Sequence, residues 1–502
     1  MISSANFELN GAYPLAVGAG GIRSANVDPA AETETTNSVL APLAFPLTSV
    51  GDWSIGAQSV LAVGGGLAGG SMAMTIGVGG GKLLLDGDNA QLLNAFALTN
   101  SETRVYSPTA LGSPLRRVEI RGSTFRAACD EIDTPVAIKC YGVQPVDPYA
   151  DYNKYHTMRV VADPGQKVVF KQKVETLDAI AGTLLMNDIT LAGGFVVSGG
   201  GMEFFVEPGF VGAVTNGPID HTKAVGQYAL VVNGGGTFEL GAANNIWYRL
   251  RLMDGTTVRC VSANTLVADR PVCFGKTIDA SGALDLNGFD QSCSFLSHQR
   301  YDEVGSGSDY GPIPYDAEKF GTVTSAEPAT LTLGGATYEQ RYDRCEPTNA
   351  AVKVRGKVNL RLAMPKTVEQ RFLWFRSDTT GTIAVDSGIL GLAEGASFRE
   401  ASALSVGADG RVRIDAASAK AKTFRKADVT VAAGGVLELA DDAVIRVKSL
   451  TAPGAAKPLA NETYGGPAAY AAGKVDAAHT LDFVEGAGLV CCGEKGLVLF
   501  VR

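Results

Sequence analysis

Two segments of the chain combine tyrosine rings with carboxylates, a pairing that suits carbohydrate binding. Sugar rings stack on aromatic faces, and sugar hydroxyls donate hydrogen bonds to carboxylates. The first segment, DPYADYNKYH at 147–156, contains the candidate ligand-binding residues Tyr149, Asp151, Tyr152, Tyr155 and His156. The second, at 298–320, contains the candidates Tyr301, Asp302, Tyr310 and Tyr315. Solvated loops whose tyrosines pack on the wall of the fold would have the same composition, so both interpretations stay open.

Acid–base catalysis would need more than these aromatic segments. A glycoside hydrolase uses two carboxylates about 5–10 Å apart, and Asp302 with Glu303 is one nominal pair. A polysaccharide lyase needs a base beside a cation, a combination offered by His156 with Lys154 and Arg159. Because 52 of the 502 residues are acidic, chance pairing is expected. We therefore assign no catalytic residue.

The sequence contains no motif for a metal ion or a cofactor, and we predict neither. The eight cysteines include no CxxC pair, and their even number permits disulfides as readily as buried thiols. The glycine-rich stretches at 18–21, 64–66 and 199–201 introduce no helix and precede no Lys-Ser/Thr pair, so they are not phosphate cradles.

Charge and hydropathy exclude several classes of partner. The formal net charge is −9, with 43 Lys and Arg and no basic run, which argues against nucleic acid or an anionic membrane. No apolar stretch approaches the roughly 18–20 residues of a transmembrane helix. The first ten residues, MISSANFELN, lack the basic and apolar regions of a signal peptide. We expect either that such a leader precedes the chain or that the chain is part of a larger polypeptide.

A short phrase recurs along the chain: a glycine or another turn residue, followed by two apolar residues that alternate with polar ones. Side chains alternate between the faces of a strand, so each phrase predicts a strand with one buried and one wet face. The predicted buried pairs are Leu83/Leu85, Phe238/Leu240, Leu284/Leu286, Leu331/Leu333, Leu390/Leu392, Val412/Ile414 and Leu437/Leu439. Helical apolar stripes are almost absent. The 61 glycines indicate many tight turns, and the pattern is typical either of an antiparallel sandwich or barrel or of a β-solenoid.

Two longer stretches repeat one another and carry a family resemblance. Residues 79–89 read GGGKLLLDGDN, residues 234–244 read GGGTFELGAAN, and residues 281–297 read SGALDLNGFDQSCSFLS. This succession resembles the autotransporter passenger-associated β-strand repeat, most clearly over residues 50–112, 230–297 and 320–450. The resemblance implies a right-handed parallel β-helix that a bacterium exports and displays or releases outside the cell. It defines no catalytic residue, and residues 115–230 match the repeat poorly.

These observations predict an elongated, all-β right-handed parallel β-helix (β-solenoid) over residues 1–450. Loop insertions are expected near 141–160 and 298–320, and residues 451–502 are expected to cap the solenoid with C-terminal strands. We favour a non-enzymatic extracellular or cell-surface module, a stalk or adhesin, that binds glycan or another surface polymer of a host through its tyrosine-rich loops. The alternative is a carbohydrate-active enzyme, a polysaccharide lyase or glycoside hydrolase, on the same scaffold. The oligomeric state is left open.

Overall fold

A computed structural model describes most of the chain. The described residues are 6–25, 33–48, 50–121, 124–139, 157–177, 182–199, 202–224, 229–253, 255–275, 282–298, 320–335, 347 and 350–493. The chain divides into two units, Met1–Trp247 and Tyr248–Arg502. Strands make up 50% of the chain and helices 3%, and stacked parallel strands form about 15 solenoid turns in the two units. The prediction of an all-β parallel solenoid is confirmed.

The described part of the first unit contains 24 strands. They are β1 Glu8–Leu9, β2 Leu15–Ala16, β3 Ile22–Ser24, β4 Thr35–Val39, β5 Leu43–Phe45, β6 Trp53–Val63, β7 Leu67–Gly69, β8 Thr75–Leu85, β9 Ala95–Val105, β10 Val118–Arg121, β11 Thr124–Ala127, β12 Glu131–Ile132, β13 Val136–Lys139, β14 Thr157–Ala162, β15 Val168–Phe170, β16 Val174–Thr176, β17 Gly182–Asn187, β18 Ile189–Leu191, β19 Phe195–Val196, β20 Met202–Phe205, β21 Val211–Val214, β22 Ile219–Asp220, β23 Ala229–Asn233 and β24 Thr237–Leu240.

The described part of the second unit contains the remaining strands and three short helices. The strands are β25 Arg249–Leu252, β26 Thr257–Cys260, β27 Val272–Phe274, β28 Ala283–Asp285, β29 Gln291–Cys293, β30 Leu296–His298, β31 Gly321–Thr324, β32 Ala329–Leu333, β33 Val352–Val354, β34 Val358–Ala363, β35 Glu369–Leu373, β36 Arg376–Ser377, β37 Thr382–Ala393, β38 Ser397–Phe398, β39 Ala403–Ile414, β40 Asp428–Val431, β41 Val436–Leu439, β42 Val444–Val447, β43 Ser449–Thr451, β44 Thr463–Gly465, β45 Val484–Glu485 and β46 Leu489–Cys492. The helices are α1 Ala416–Lys420, α2 Pro467–Ala471 and a 3₁₀ helix, Ala477–His479.

Inward-facing aliphatic rows hold the coils of each unit together. In the first unit, Val63 pairs with Leu85 and Leu85 with Val105, and all three are at most 2% exposed. In the second unit, Leu333, Leu362, Val385, Val406 and Val431 form one buried row across five successive coils. Each row buries apolar surface against the coil before and the coil after, so the coils stabilise one another. All seven apolar pairs predicted from the repeated phrase are buried.

Aromatic rings pack against one another inside the first unit. Phe204 meets Phe195 edge to face and stacks on Phe238, with ring centroids 5.0 and 4.8 Å apart. The described part of residues 115–230, which match the repeat poorly, nevertheless forms the parallel strands β10 to β22. Parallel pairing therefore continues where the glycine-rich phrase is missing.

The C-terminal segment contains the single antiparallel pairing found among the described strands. Strand β46 pairs in parallel with β42 and in antiparallel with β44, and β45 pairs in parallel with β41. Residues 451–502 thus supply strand partners to β41 and β42, but their role as a cap stays a prediction. Of the expected insertions, residues 141–156 and 299–319 lie outside the described residues, while 157–160 belong to β14.

Candidate functional site

All nine candidate residues of the tyrosine-rich segments lie outside the described part of the chain. They are Tyr149, Asp151, Tyr152, Tyr155, His156, Tyr301, Asp302, Tyr310 and Tyr315. The first segment follows β13 and leads into β14, and the second follows β30 and leads into β31. Their assignment to ligand binding stays a prediction.

The described part of the second unit has a groove of about 520 Å³ on the outer face of its sheet. Strands β35, β37, β39, β41 and β45 form its floor. Their parallel register aligns Arg371, Gly391, Arg413, Glu438 and Glu485 in one row across the five strands. The side chains of this row point outward because the residues beside them in each strand are buried in the core. We call this site the charged groove.

A continuous ion-pair network crosses the charged groove. Arg371 donates from Nε and Nη2 to the two carboxylate oxygens of Glu369, at 2.8 and 3.1 Å. Arg413 bridges two strands: its Nη1 donates to Glu369 Oε2 at 2.8 Å and its Nε to Glu438 Oε1 at 2.8 Å. Arg411 donates to Glu438 at 3.0 Å and also to Glu485. Three guanidinium groups and three carboxylates therefore neutralise one another.

Gly391 makes room for this network. A Cβ atom at position 391 would lie 2.1 Å from Glu369 Oε1. The carboxylate of Glu369 consequently lies over the backbone of β37 and is only 10% exposed, which lets it reach Arg413 on the far side of that strand. Glycine in a strand interior commonly marks such a close approach.

The electrostatics of the charged groove disfavour Glu438 as a general acid. Burial acts to raise the pKa of Glu438, but the hydrogen bonds from Arg413 and Arg411 outweigh it and hold the pKa below its usual value. A glycosidase acid needs the opposite, a carboxyl group whose pKa is raised so that it keeps its proton. Glu438 therefore stays ionised and accepts hydrogen bonds.

Two further features border the charged groove. The Trp374 side chain is 38% exposed, and its backbone N–H donates to the carbonyl of Ala393, a groove residue, at 3.3 Å. Trp374 has a φ of 61°, and Glu394, at the same corner of the next coil, has a φ of 56°. The left-handed conformation therefore belongs to the corner and is no sign of functional strain. Asp415 and Asp441 add carboxylates to the lining.

The repeated phrase puts Arg413 and Glu438 on the solvent-facing side of their strands, but it does not predict a groove there. Their opposite charges and their separation of 25 residues, about one coil, are the sequence pattern that could have predicted the pairing. That spacing does not reveal Glu369 and Glu485, which lie 44 and 74 residues from their arginine partners Arg413 and Arg411.

A second polar cluster lies in the C-terminal segment. His479 Nδ1 is 2.6 Å from Asp476 Oδ1, and His479 Nε2 is 2.6 Å from Glu462 Oε2. The hydrogen bond to Asp476, and then that to Glu462, raises the pKa of His479 above its usual value. Because both ring nitrogens face acceptors, the imidazole bonds both carboxylates only when both nitrogens carry a proton. The geometry is that of a clamp between two carboxylates.

The remaining reactive groups are dispersed. Within the described residues, no three His, Cys, Asp or Glu side chains are grouped so that they could hold a metal ion. Six cysteines of the described residues are buried: Cys129, Cys260, Cys273, Cys293, Cys491 and Cys492. Burial raises the pKa of Cys260 to about 12, which leaves its thiol protonated and unreactive at neutral pH.

We compared the chain with known protein families, proteins and structures. No protein-family model, no curated protein and no solved structure matches the chain. In the portion that the structure describes, no helix has the length and hydropathy to cross a membrane. The fold and the site together define the class: a parallel β-solenoid with a groove on its outer face that a network of arginine–glutamate ion pairs crosses.

Proposed function

We propose that this protein is a non-enzymatic module of the bacterial cell exterior, a stalk or adhesin, that binds glycan in the charged groove. The extracellular location is supported by the resemblance of residues 79–89, 234–244 and 281–297 to a repeat of exported β-helices. The tyrosine-rich segments at 147–156 and 298–320 remain candidates for additional ligand contacts.

One observation carries the glycan-binding proposal: the charged groove displays N–H donors and carboxylate acceptors side by side. Arg371 and Arg413 each keep N–H groups beyond those bonded to Glu369 and Glu438. A sugar hydroxyl both donates and accepts, so it can bond a guanidinium and a carboxylate together. Aromatic rings often accompany sugar sites, and the exposed Trp374 is joined to the groove by the hydrogen bond from its backbone N–H to the carbonyl of Ala393.

The test is oligosaccharide binding by wild type and two matched variants. Arg413→Gln removes the bridge between Glu369 and Glu438, so affinity should fall at least tenfold. Arg361→Gln is the control, because Arg361 also pairs with a carboxylate across strands, Asp386 at 2.6 Å, but lies outside the charged groove. Equal affinities of the two variants, or no binding by wild type to any oligosaccharide of a broad panel, would refute the proposal.

A carbohydrate-active enzyme is the second candidate, and one contact favours it. Glu369 and Glu438 both bond the guanidinium of Arg413, so two carboxylates meet at one cation. If this pair were catalytic, incubation with the same panel would release reducing ends or unsaturated products, and Glu438→Gln would abolish the release. Binding without any product separates the first proposal from this one.

A further inference from the structure

We infer that the charged groove takes sugar units without acidic groups and rejects uronates. This inference rests on the proposed function and specifies its ligand class. The reason is that the arginines of the groove are already paired with glutamates of the protein.

Each cation at the charged groove has a partner in the described structure. Arg371, Arg411 and Arg413 bond only glutamates of the network. Lys474, which contacts the lining residue Asp441, donates to the backbone carbonyls of Asp441 and Ala487 at 2.6 and 2.9 Å. A uronate carboxylate can accept from the N–H groups that these arginines keep, but their charge is already shared with the protein's glutamates, so it gains less from them than from an unpaired cation.

The lining also repels an anionic ligand. Asp415 and Asp441 accept hydrogen bonds from backbone N–H groups, at 2.6 and 2.7 Å for Asp415 and 3.2 Å for Asp441. Among the described residues neither carboxylate forms an ion pair with a lysine or arginine. A ligand carboxylate near them meets like charge, whereas a hydroxyl or an amine donates to them.

Binding of three β-1,4-linked hexamers tests the inference: the neutral glucan, its C6-oxidised uronate form and the glucosamine polymer chitosan. The neutral or amino hexamer should bind at least tenfold more tightly than the uronate at low salt. A uronate that binds as tightly or more tightly overturns the inference and leaves glycan binding intact. If none of the three binds, the inference fails, and the panel above decides the proposed function.

A variant that should gain affinity tests whether the arginine–glutamate ion pairs cause the rejection of uronates. Glu438→Gln removes a carboxylate that holds Arg413 and Arg411, so affinity for the uronate hexamer should rise at least fivefold while that for the neutral hexamer falls. The control is Glu327→Gln, which removes a carboxylate paired with Lys357 outside the groove and should change neither affinity. A folded Glu438→Gln variant that still discriminates against the uronate would contradict the role of the ion pairs.

Discussion

At the scale of single residues, the groove depends on the absence of a side chain at Gly391. Gly391 is the one position of the Arg371–Glu485 row without a side chain, and the Glu369 carboxylate fills the space that a Cβ would take. The clash would be with the far end of a flexible side chain, so a substitution should rearrange the groove more than it destabilises the fold.

Gly391→Ala should therefore break the bond between Glu369 and Arg413 at little cost to stability. We expect the free energy of unfolding to change by less than about 1 kcal/mol, as for other partly exposed ion pairs. Affinity for the groove ligand should fall severalfold, measured by calorimetry beside a denaturant titration. Gly79→Ala is the control, since nothing lies within 4 Å of a Cβ at this strand position. Unchanged ligand affinity would show that the Glu369–Arg413 bond is dispensable.

His221 gives a residue-scale prediction for pH. It is only 2% exposed, and burial lowers its pKa to about 4 although neighbouring Asp220 acts to raise it. Between about pH 6.5 and pH 4 the histidine is protonated in the unfolded chain but neutral in the folded chain, so the free energy of unfolding must fall as the pH drops through this range. The total fall in the free energy of unfolding is on the order of 3 kcal/mol. In denaturant titrations across this range, His221→Leu should show a shallower decline than wild type, and parallel curves would contradict the assignment.

At the scale of elements, the clamp of His479 ties the residue before β44 to the 3₁₀ helix. Glu462 immediately precedes β44, Asp476 caps the 3₁₀ helix, and His479 ends it. Lys474 lines the same recess and the Tyr464 ring lies 5.5 Å away, so the clamp is set among further polar and titratable groups.

Raising the pH should loosen this clamp. The pKa of His479 is raised in the folded state, so its contribution to stability is complete below the unfolded pKa and is lost as pH rises through the folded pKa. Above that pH, amide protection factors in β44 should decrease, as measured by hydrogen exchange corrected for intrinsic rates. His479→Gln should remove the pH dependence, and protection in β6 should stay constant as an internal control. A pH-independent β44 in wild type would exclude the clamp.

At the scale of the whole molecule, a solenoid must end without leaving strands open to other chains. Residues 451–502 provide β45 and β46, the partners of β41 and β42, and β44 then pairs with β46 in the antiparallel direction. Unpaired parallel edges pair readily with other chains, so the position of this segment is consistent with the predicted cap.

Deletion of residues 451–502 should therefore cause aggregation. It exposes the edges of β41 and β42, and light scattering after size exclusion should detect oligomers that the full chain does not form. Val444→Lys in the truncated chain should restore part of the solubility, because a charged side chain on an edge strand hinders pairing. A soluble, folded monomer without residues 451–502 would show that the segment is not a cap.

The sequence by itself determined the inward rows of the solenoid. Alternation in phrases such as TFEL at 237–240 and VRI at 412–414 identifies the buried face of each strand locally, whatever strand lies beside it. The choice of parallel over antiparallel pairing came from the resemblance of residues 79–89, 234–244 and 281–297 to a known repeat.

Only the tertiary structure decided which outward residues meet. Coil lengths vary, so the partner of Arg411 lies 27 residues away in Glu438 and 74 residues away in Glu485. Two contacts depend on the register between neighbouring coils. One is the approach of Glu369 to the backbone of Gly391, and the other is the bridge that Arg413 makes between Glu369 and Glu438. The physical reason is that alternation within a strand is fixed by backbone geometry, whereas register between strands depends on the length of every intervening turn.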